Sequence, residues 1–438
     1  MLKKMFKFFQ ILIIIALTVS CASNKATFKN IVIPKPKTAT YPQSQVEPSI
    51  AIHPTNPKIV VAGTVMDDYY FSLDGGKTWK SETLKSEFGV GGDPVLHISE
   101  KGIVHYAHLS NPKNSGHKMD RIVCQYNLSV DGKWKDAATE VNGSKIQDKP
   151  WIAECPLTGN LYLTWTQFDA YQSTAEEDSS FIFFSKSEDD GKSWSKPIRI
   201  SKLGGDCLDG NNTVEGAVPT VNNEGVIFVG WTGPHGIRMN KSYDFGKTWL
   251  EEELFVTDHP GGWKFDIPGL YRCNGLPITK VDNSSGANDG RIYINWTDQR
   301  NGEQDTDNWF VFSDDDGATW SSPIRINQDT SKRHQFFTWM TVDQYSGAVY
   351  WVYYDRRNHE NTVTDVYLAY SFDGGATIEE ICISEKPFVP SEKVFFGDYT
   401  NIAAVDGQIR PIWSRMDDGN ISLLTALISE KRLKQKKR

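Results

Sequence analysis

Carboxylates, arginines, a few histidines and one tyrosine stand at recurring places along this chain, where their types would permit chemistry. Glu47, Asp93, Asp148, Glu215, Arg272, His334, Asp398 and Tyr399 each lie shortly before a strand-like segment. A second set lies where the following segment ends. It holds Asp67, Asp68, His108, Asp169 and His235, then Asp298 with Arg300, Asp355 with Arg356, and Arg415 with Asp417. Carboxylates serve as general acid, base or nucleophile, and a guanidinium fork grips a carboxylate or sulfate. If these ends share one rim, they line a pocket for a sugar or an acidic ligand. Asp298–Arg300 and Asp355–Arg356 could equally be ion pairs that hold neighbouring units together, which perturb charge without catalysing anything.

The elements that must position these residues are short strands punctuated by one repeated turn. Ser313 to Trp320 follows the pattern Ser-x-Asp-x-Gly-x-Thr-Trp. Close copies begin at Ser72, Ser187 and Ser242; a copy at Ser371 has Ile378 for the Trp, and a shortened copy begins at Ser129. The chemistry is that of a hairpin turn: Asp accepts turn amides and Gly supplies positive φ. The hydroxyls tie down neighbouring backbone, and the Trp packs as an apolar plug. Segments such as Leu161–Trp165, Arg291–Trp296 and Val349–Tyr353 are β-formers, and no stretch after the leader has a helical period.

The motif serines are 57, 58, 55, 71 and 58 residues apart, which suits a four-stranded propeller blade with its loops. First strands are counted seven times, near Ser49, Val95, Trp151, Val218, Ile278, Met340 and Ile402. The seventh unit runs out of chain after three strands, and residues 28–33 supply its missing outer strand against 421–428, removing an edge. The expected fold is therefore all-β, a single β-propeller of seven four-stranded antiparallel blades closed by an N-terminal strand. Six blades is the alternative.

The eight-residue pattern resembles the Asp-box, or BNR, repeat of sialidase-like β-propellers, and its recurrence covers nearly all of the chain after the leader. The resemblance implies boxes on the hairpins between third and fourth strands, on the face away from the active site. The residues named at the outset then share the opposite rim. Sialidases hold a substrate carboxylate with three arginines, use a Tyr assisted by a Glu as nucleophile, and use an Asp as acid/base. By position in the ring, the resemblance implies Tyr399 with Glu215 for the nucleophile and Asp93 or Asp67 for the acid/base, with Asp398 beside them. Arg272, Arg300, Arg356 and Arg415, with Asp298 and Asp355, would bind substrate. In the first blade Val46-Glu47-Pro48 places an acid where sialidases carry an arginine.

Residues 1–20 read as a signal peptide, with Lys3, Lys4 and Lys7 ahead of an apolar core. Thr18-Val19-Ser20-Cys21 resembles a bacterial lipoprotein cleavage site, which makes Cys21 the lipidated residue and 21–27 a tether. The domain order is then leader, tether, propeller over 28–430, and a basic tail, 431–438, expected to be solvated. Formal charge is −8, and setting aside three leader lysines and six tail cations leaves the body near −17. That acidity argues against nucleic acid as a partner. The five cysteines after Cys21 show no zinc spacing. Cys207–Cys273 is the disulfide to test, against five buried thiols.

Together these readings describe an exported, lipid-anchored monomer of the bacterial cell envelope, with an oligosaccharide or polysaccharide as its partner. The leading expectation is a sialidase-like exo-glycosidase acting on acidic glycans. One alternative is a polysaccharide lyase using His108, His235, Tyr271 and Arg272; another is a non-catalytic binding propeller. No cofactor and no metal ligand is assigned, although a structural calcium ion is left open.

Overall fold

In the computed structural model, which describes residues 28–39, 44–112 and 119–435, the chain forms seven antiparallel sheets in a ring, a seven-bladed β-propeller. The leader, the tether and Cys21 lie outside the described residues. Blade 1 comprises Ser49–Ile52, Val60–Thr64, Asp68–Ser72 and Lys80–Thr83. Blade 2 has three full strands, Val95–Ile98, Val104–Leu109 and Ile122–Asn127, and a fourth reduced to bridges at Lys135 and Ala138. Blades 3 to 6 begin at inner strands Ile146–Glu154, Glu215–Val221, Ile278–Val281 and Gln335–Val342. Blade 7 runs Asn401–Val405, Gln408–Asp417 and Asn420–Ala426, and Asn30–Ile33 supplies its outer strand, with Asn30 opposite Ala426 and Ile33 opposite Leu423.

The sequence explains why each blade stacks on the next. Trp165, Trp231 and Trp296 occupy the fifth place of the second strand in blades 3, 4 and 5, and each is at most 1% exposed. A ring that large, buried between sheets, contributes about 3–5 kcal/mol. The repeated turn closes as its residue types require. In the first copy the Ser72 hydroxyl donates to Asp74 Oδ1 (2.8 Å), while Gly76 N–H donates to Ser72 Oγ (2.8 Å). Thr78 gives Asp74 both its amide (2.9 Å) and its hydroxyl (2.7 Å). The copies at Ser187, Ser242, Ser313 and Ser371 repeat these bonds. Glycine is required at the fifth position, where φ is +78° at Gly317. Trp320 is only half-buried, against Met239 and the blade 4–5 seam, and not the fully enclosed plug its role implied.

Two expectations need correction, and one spacing finds its cause. Cys207 and Cys273 are not bonded: all five thiols from Cys124 onward are free, and four are buried. Residues 431–435 are not a loose tail but join a short helix, Glu430–Gln435, that buries Leu433 and sets Arg432 over the Phe28 ring. Finally, the long interval between Ser242 and Ser313 is spent on an insertion between blades 4 and 5. Its hairpin pairs Lys264–Phe265 with Cys273–Asn274 at the rim.

Candidate functional site

On the face opposite the Asp boxes, the starts of the inner strands converge on the axis. At the rim end of the inner strand in blades 1, 2 and 3 a charged residue is followed by proline: Glu47-Pro48 and Asp93-Pro94 just ahead of the strand, and Lys149-Pro150 within its first half. All three are left-handed, with φ of 52°, 50° and 49°. Such backbone costs about 1–3 kcal/mol per residue and persists where the surroundings over-determine it, typically at functional sites. Gly216 and Phe337 are left-handed at the matching place in blades 4 and 6, beside β-bulges at Glu215–Val218 and Phe336–Trp339. A bulge bends its strand and re-aims side chains, here towards the axis.

Six carboxyls gather there: Glu47, Asp93, Asp148, Asp209, Glu215 and Asp398, each no more than 8% exposed. Two cations join them. Arg272, carried in by the insertion, donates Nε to Asp398 Oδ1 (2.7 Å) and closes a second bond from Nη2 to Oδ2. Lys149 Nζ stands 3.4 Å from Asp398 and 3.8 Å from Asp148. Burial pushes Asp398 upward, but Arg272 and Lys149 outweigh it and hold the carboxyl below its usual range. Burial drives Glu47 well above the ordinary glutamate value, reinforced by Asp398 and Asp93. Gly397 makes room for Glu47 beside Asp398. A Cβ on Gly397, where φ is 89°, would lie 2.9 Å from the Glu47 nitrogen and 3.0 Å from its Cγ.

Beneath the cluster an aromatic plug closes the axis. Trp151 and Trp339 have ring centroids 4.4 Å apart, and Tyr399 lies 5.4 and 5.9 Å from them. Only a cavity of about 20 Å³, the size for a single water, opens there, lined by Lys149, Gly216, Asp398 and Tyr399 among others. On the Asp-box side of the plug the axis widens to a channel of about 340 Å³. The cluster is therefore open towards the rim, where Tyr171 and Tyr271 are 38% and 58% exposed. Tyr171 Oη donates to Asp209 (2.8 Å), and Tyr271 flanks Arg272 against Phe395. Exposed aromatic faces of this kind stack on the apolar faces of sugar rings.

Of the residues expected from the sequence, Glu215, Asp93, Asp398, Tyr399 and Arg272 do come together. Tyr399, however, is paired with Asp93 (Oη to Oδ1, 3.4 Å), and burial followed by Asp93 and Glu47 drives its phenol well up. Glu215 is completely enclosed. The other arginines do not reach the axis group. Arg300 is held by Asp298 within its own blade (Nη2 to Oδ2, 2.6 Å) and stacks on Trp309. Arg415 is held by Asp417 (2.8 Å). Asp355 pairs with Arg357, not Arg356 (2.7 Å). Arg356 is buried over Phe336 and spends its donors on Thr364 and the Pro268 carbonyl. Arg300 and Arg415 are satisfied locally because an arginine at a loop end meets a carboxylate of its own blade first, whereas Arg356 keeps Nη2 buried without a hydrogen-bond partner.

His108 is buried against the Leu109 carbonyl, His334 bonds Thr306, and His235 sits exposed on a blade 4 loop. Asp68 is tied to Ser44 and Tyr70, and Asp169 to Lys145. Lys149 and Asp209 escaped the sequence reading. The repeated charged-residue–proline pair was a signal for Lys149; Asp209, in a loop, had none.

The family model for the BNR/Asp-box repeat matches residues 70–81. No curated protein matches the chain by sequence. Among solved structures, an ulvan lyase described as a new family of polysaccharide lyase aligns at TM-score 0.52 and 12% identity, over 93% of this chain and 96% of that one. An α-L-arabinanase of Penicillium chrysogenum, complexed with arabinobiose, aligns at 0.50 and 12%, over 92% and 98%. A Hadza microbial sialidase gives 0.48 and 12%, over 87% and 75%. At these identities the likeness is one of fold. With the repeat bonds present in five copies and the ring closed by residues 30–33, the chain is a seven-bladed β-propeller that carries Asp-box turns, one of which the BNR/Asp-box model matches.

Proposed function

We propose that this propeller is a carbohydrate-active enzyme, a glycoside hydrolase working at the axial rim on a sugar that presents hydroxyls to the cluster. One observation carries the reading: a carboxyl that burial pushes well up, Glu47, is packed beside one that two cations hold down, Asp398. Carboxyls pushed in opposite directions within one site take the acid and base roles of glycosidic cleavage. In this scheme Glu47 gives its proton to the leaving oxygen as the bond from the anomeric carbon breaks. Asp398 accepts a proton from the water whose oxygen bonds to that carbon, the Asp93–Tyr399 pair borders the same space, and the proton passes back to Glu47.

The charge balance replaces the expectation of an acidic glycan. Among the described residues Arg300, Arg356 and Arg415 do not converge on the axis, and six carboxyls there are met by Lys149 and Arg272. A substrate carboxylate would be repelled at that point, whereas sugar hydroxyls find many acceptors. The same surplus disfavours lyase chemistry, which must neutralise a uronate carboxylate. Solved propellers of similar fold include an arabinanase, sialidases and an ulvan lyase, so glycan chemistry suits the scaffold.

The test is product analysis on a panel of neutral and acidic oligosaccharides, with Glu47→Gln and Asp93→Asn as variants. New reducing ends from a neutral glycan, reduced about 10²–10⁴-fold by Glu47→Gln at unchanged melting temperature, support the reading. Products absorbing in the near ultraviolet identify a lyase, and an intact panel identifies a binding protein; either result overturns it.

A further inference from the structure

We propose that Asp148, Asp209 and Glu215 form a binding site for a divalent, oxygen-preferring cation of the calcium type, set into the rim beside the reacting groups. The three come from different places: the start of the inner strands of blades 3 and 4, and the loop between those blades. One oxygen from each lies within 4.8 Å of the others, and all three residues are buried. Oxygens bound to one ion at 2.3–2.6 Å can be no farther apart than about 4.6–5.2 Å, so the spacing suits a shared ion.

Glu215 supplies the independent observation. Its exposure is 0%, and neither carboxylate oxygen has a partner at hydrogen-bond distance and angle, with Lys149 and the Gly216 amide acting on it from farther off. A carboxylate enclosed without donors is costly unless a cation or proton completes it. The neighbours do not fill that role. Lys149 Nζ leans to Asp398, and its amide takes Asp148 Oδ1 at 3.0 Å. Tyr171 takes Asp209 Oδ2 at 2.8 Å. Asp148 also meets the Asp93 carboxyl, which adds an acid to the group and no positive charge. Asp398 is already satisfied by Arg272, so the negative surplus falls on the Asp148 side of the axis.

The donor set selects the kind of ion. All three ligands are carboxylates, with no imidazole or thiolate, which suits calcium, magnesium or manganese and not zinc or copper. Three carboxylates at a site that water can complete favour calcium, whose coordination is larger and more tolerant than magnesium's. Asp209 is left-handed (φ 53°), and Tyr171 fixes its carboxylate, so the loop presents it to the other two. The ion would bind the two inner strands to one another where the rim is most acidic.

The experiment uses the mature protein, stripped with a chelator and titrated with Ca²⁺ alone, read by calorimetry and by melting temperature. Crystals soaked in Mn²⁺ add an anomalous signal that depends on no variant. Expected results are one Ca²⁺ per chain, a melting temperature that falls on chelation and recovers with Ca²⁺, and anomalous density between the three carboxylates. Asp209→Asn, in a loop and tolerant of change, and Glu215→Gln should each weaken binding by at least about tenfold. No binding heat with no anomalous peak at these residues overturns the proposal. So does a bound ion whose affinity Asp209→Asn leaves unchanged. If Glu215→Gln fails to fold, Asp209→Asn and the anomalous map still decide it.

Discussion

At the scale of single residues, burial without a partner and burial with one do different things at this rim. Glu47 is enclosed among acids and its carboxyl is pushed well up; Asp398 is enclosed with two cations and its carboxyl is held down. If Glu47 is the proton donor, turnover holds while it is protonated and falls as pH rises through its raised value. A pH–rate profile should therefore place the falling limb well above 4.5, and Glu47→Gln should remove that limb along with most of the activity. Arg300 tests the opposite assignment. Its partner Asp298 is fully buried, so Arg300→Ala should destabilise by about 2–4 kcal/mol, discounted because the guanidinium is partly exposed. Turnover per folded molecule should stay near wild type. Lost turnover at normal stability would return Arg300 to the substrate site.

At the scale of the element, the Asp box is a turn stabilised by an ionised carboxylate. Hydrogen bonds from Thr319 and Ser313 hold Asp315 down to about 2. For Asp74 and Asp244 burial is the largest single cause and acts upward, and the bonds from Thr78 and Thr248, with those from Ser72, Ser242, Lys77 and Lys247, together overcome it to reach about 2 as well. A folded value depressed below the unfolded 3.8 means stability that is present above pH 4 and lost as pH falls towards 2. Acid titration of the melting temperature should show a steep fall in that window. Asp315→Asn, which accepts fewer of these bonds, should lower the temperature at pH 7 and make the fall shallower. An unchanged acid limb in a variant lacking several boxes would show that other carboxylates control it. The insertion between blades 4 and 5 belongs to the same scale, because its hairpin brings Arg272 to Asp398 and Asn274 to the Asp398 carbonyl (2.9 Å).

At the scale of the whole molecule, the ring is held shut by its own beginning. Asn30–Ile33 completes blade 7, Ile33 is fully buried, and Asn30 reaches the Ile383 carbonyl in blade 6 at 2.8 Å. Removing that strand leaves an unpaired edge and opens the last blade. Ile33→Ala should cost about 2–4 kcal/mol by cavity formation. Deleting residues 28–33 should lower the melting temperature much further and promote association through the exposed edge, measured by calorimetry and light scattering. A deletion variant that melts like the intact chain would show that the closure is ornamental.

The sequence by itself determined the architecture, since its signals are local and repeated. Ser, Asp, Gly and Thr within eight residues make their own turn, whatever surrounds it. The near-constant spacing counted the blades, and the unpaired strand at residues 28–33 predicted the closure. Part of the site was legible on the same grounds: Glu47, Asp93, Asp148, Glu215 and Asp398 share one place in the repeat, and Lys149 shares it too, marked by the proline that follows. What only the tertiary structure decided is which of these side chains meet, and in what state. Arg272 and Asp398 are 126 residues apart, and Tyr399 and Asp93 are 306 apart, and no local pattern couples them. Arg300, Arg356 and Arg415 occupy the ends that the repeat predicts, yet Arg300 and Arg415 are held near their own loops and Arg356 is buried against Thr364 and the insertion. Direction at a strand end is set by bulges and by the neighbouring blade, so position in the repeat fixes the rim and leaves the axis to packing.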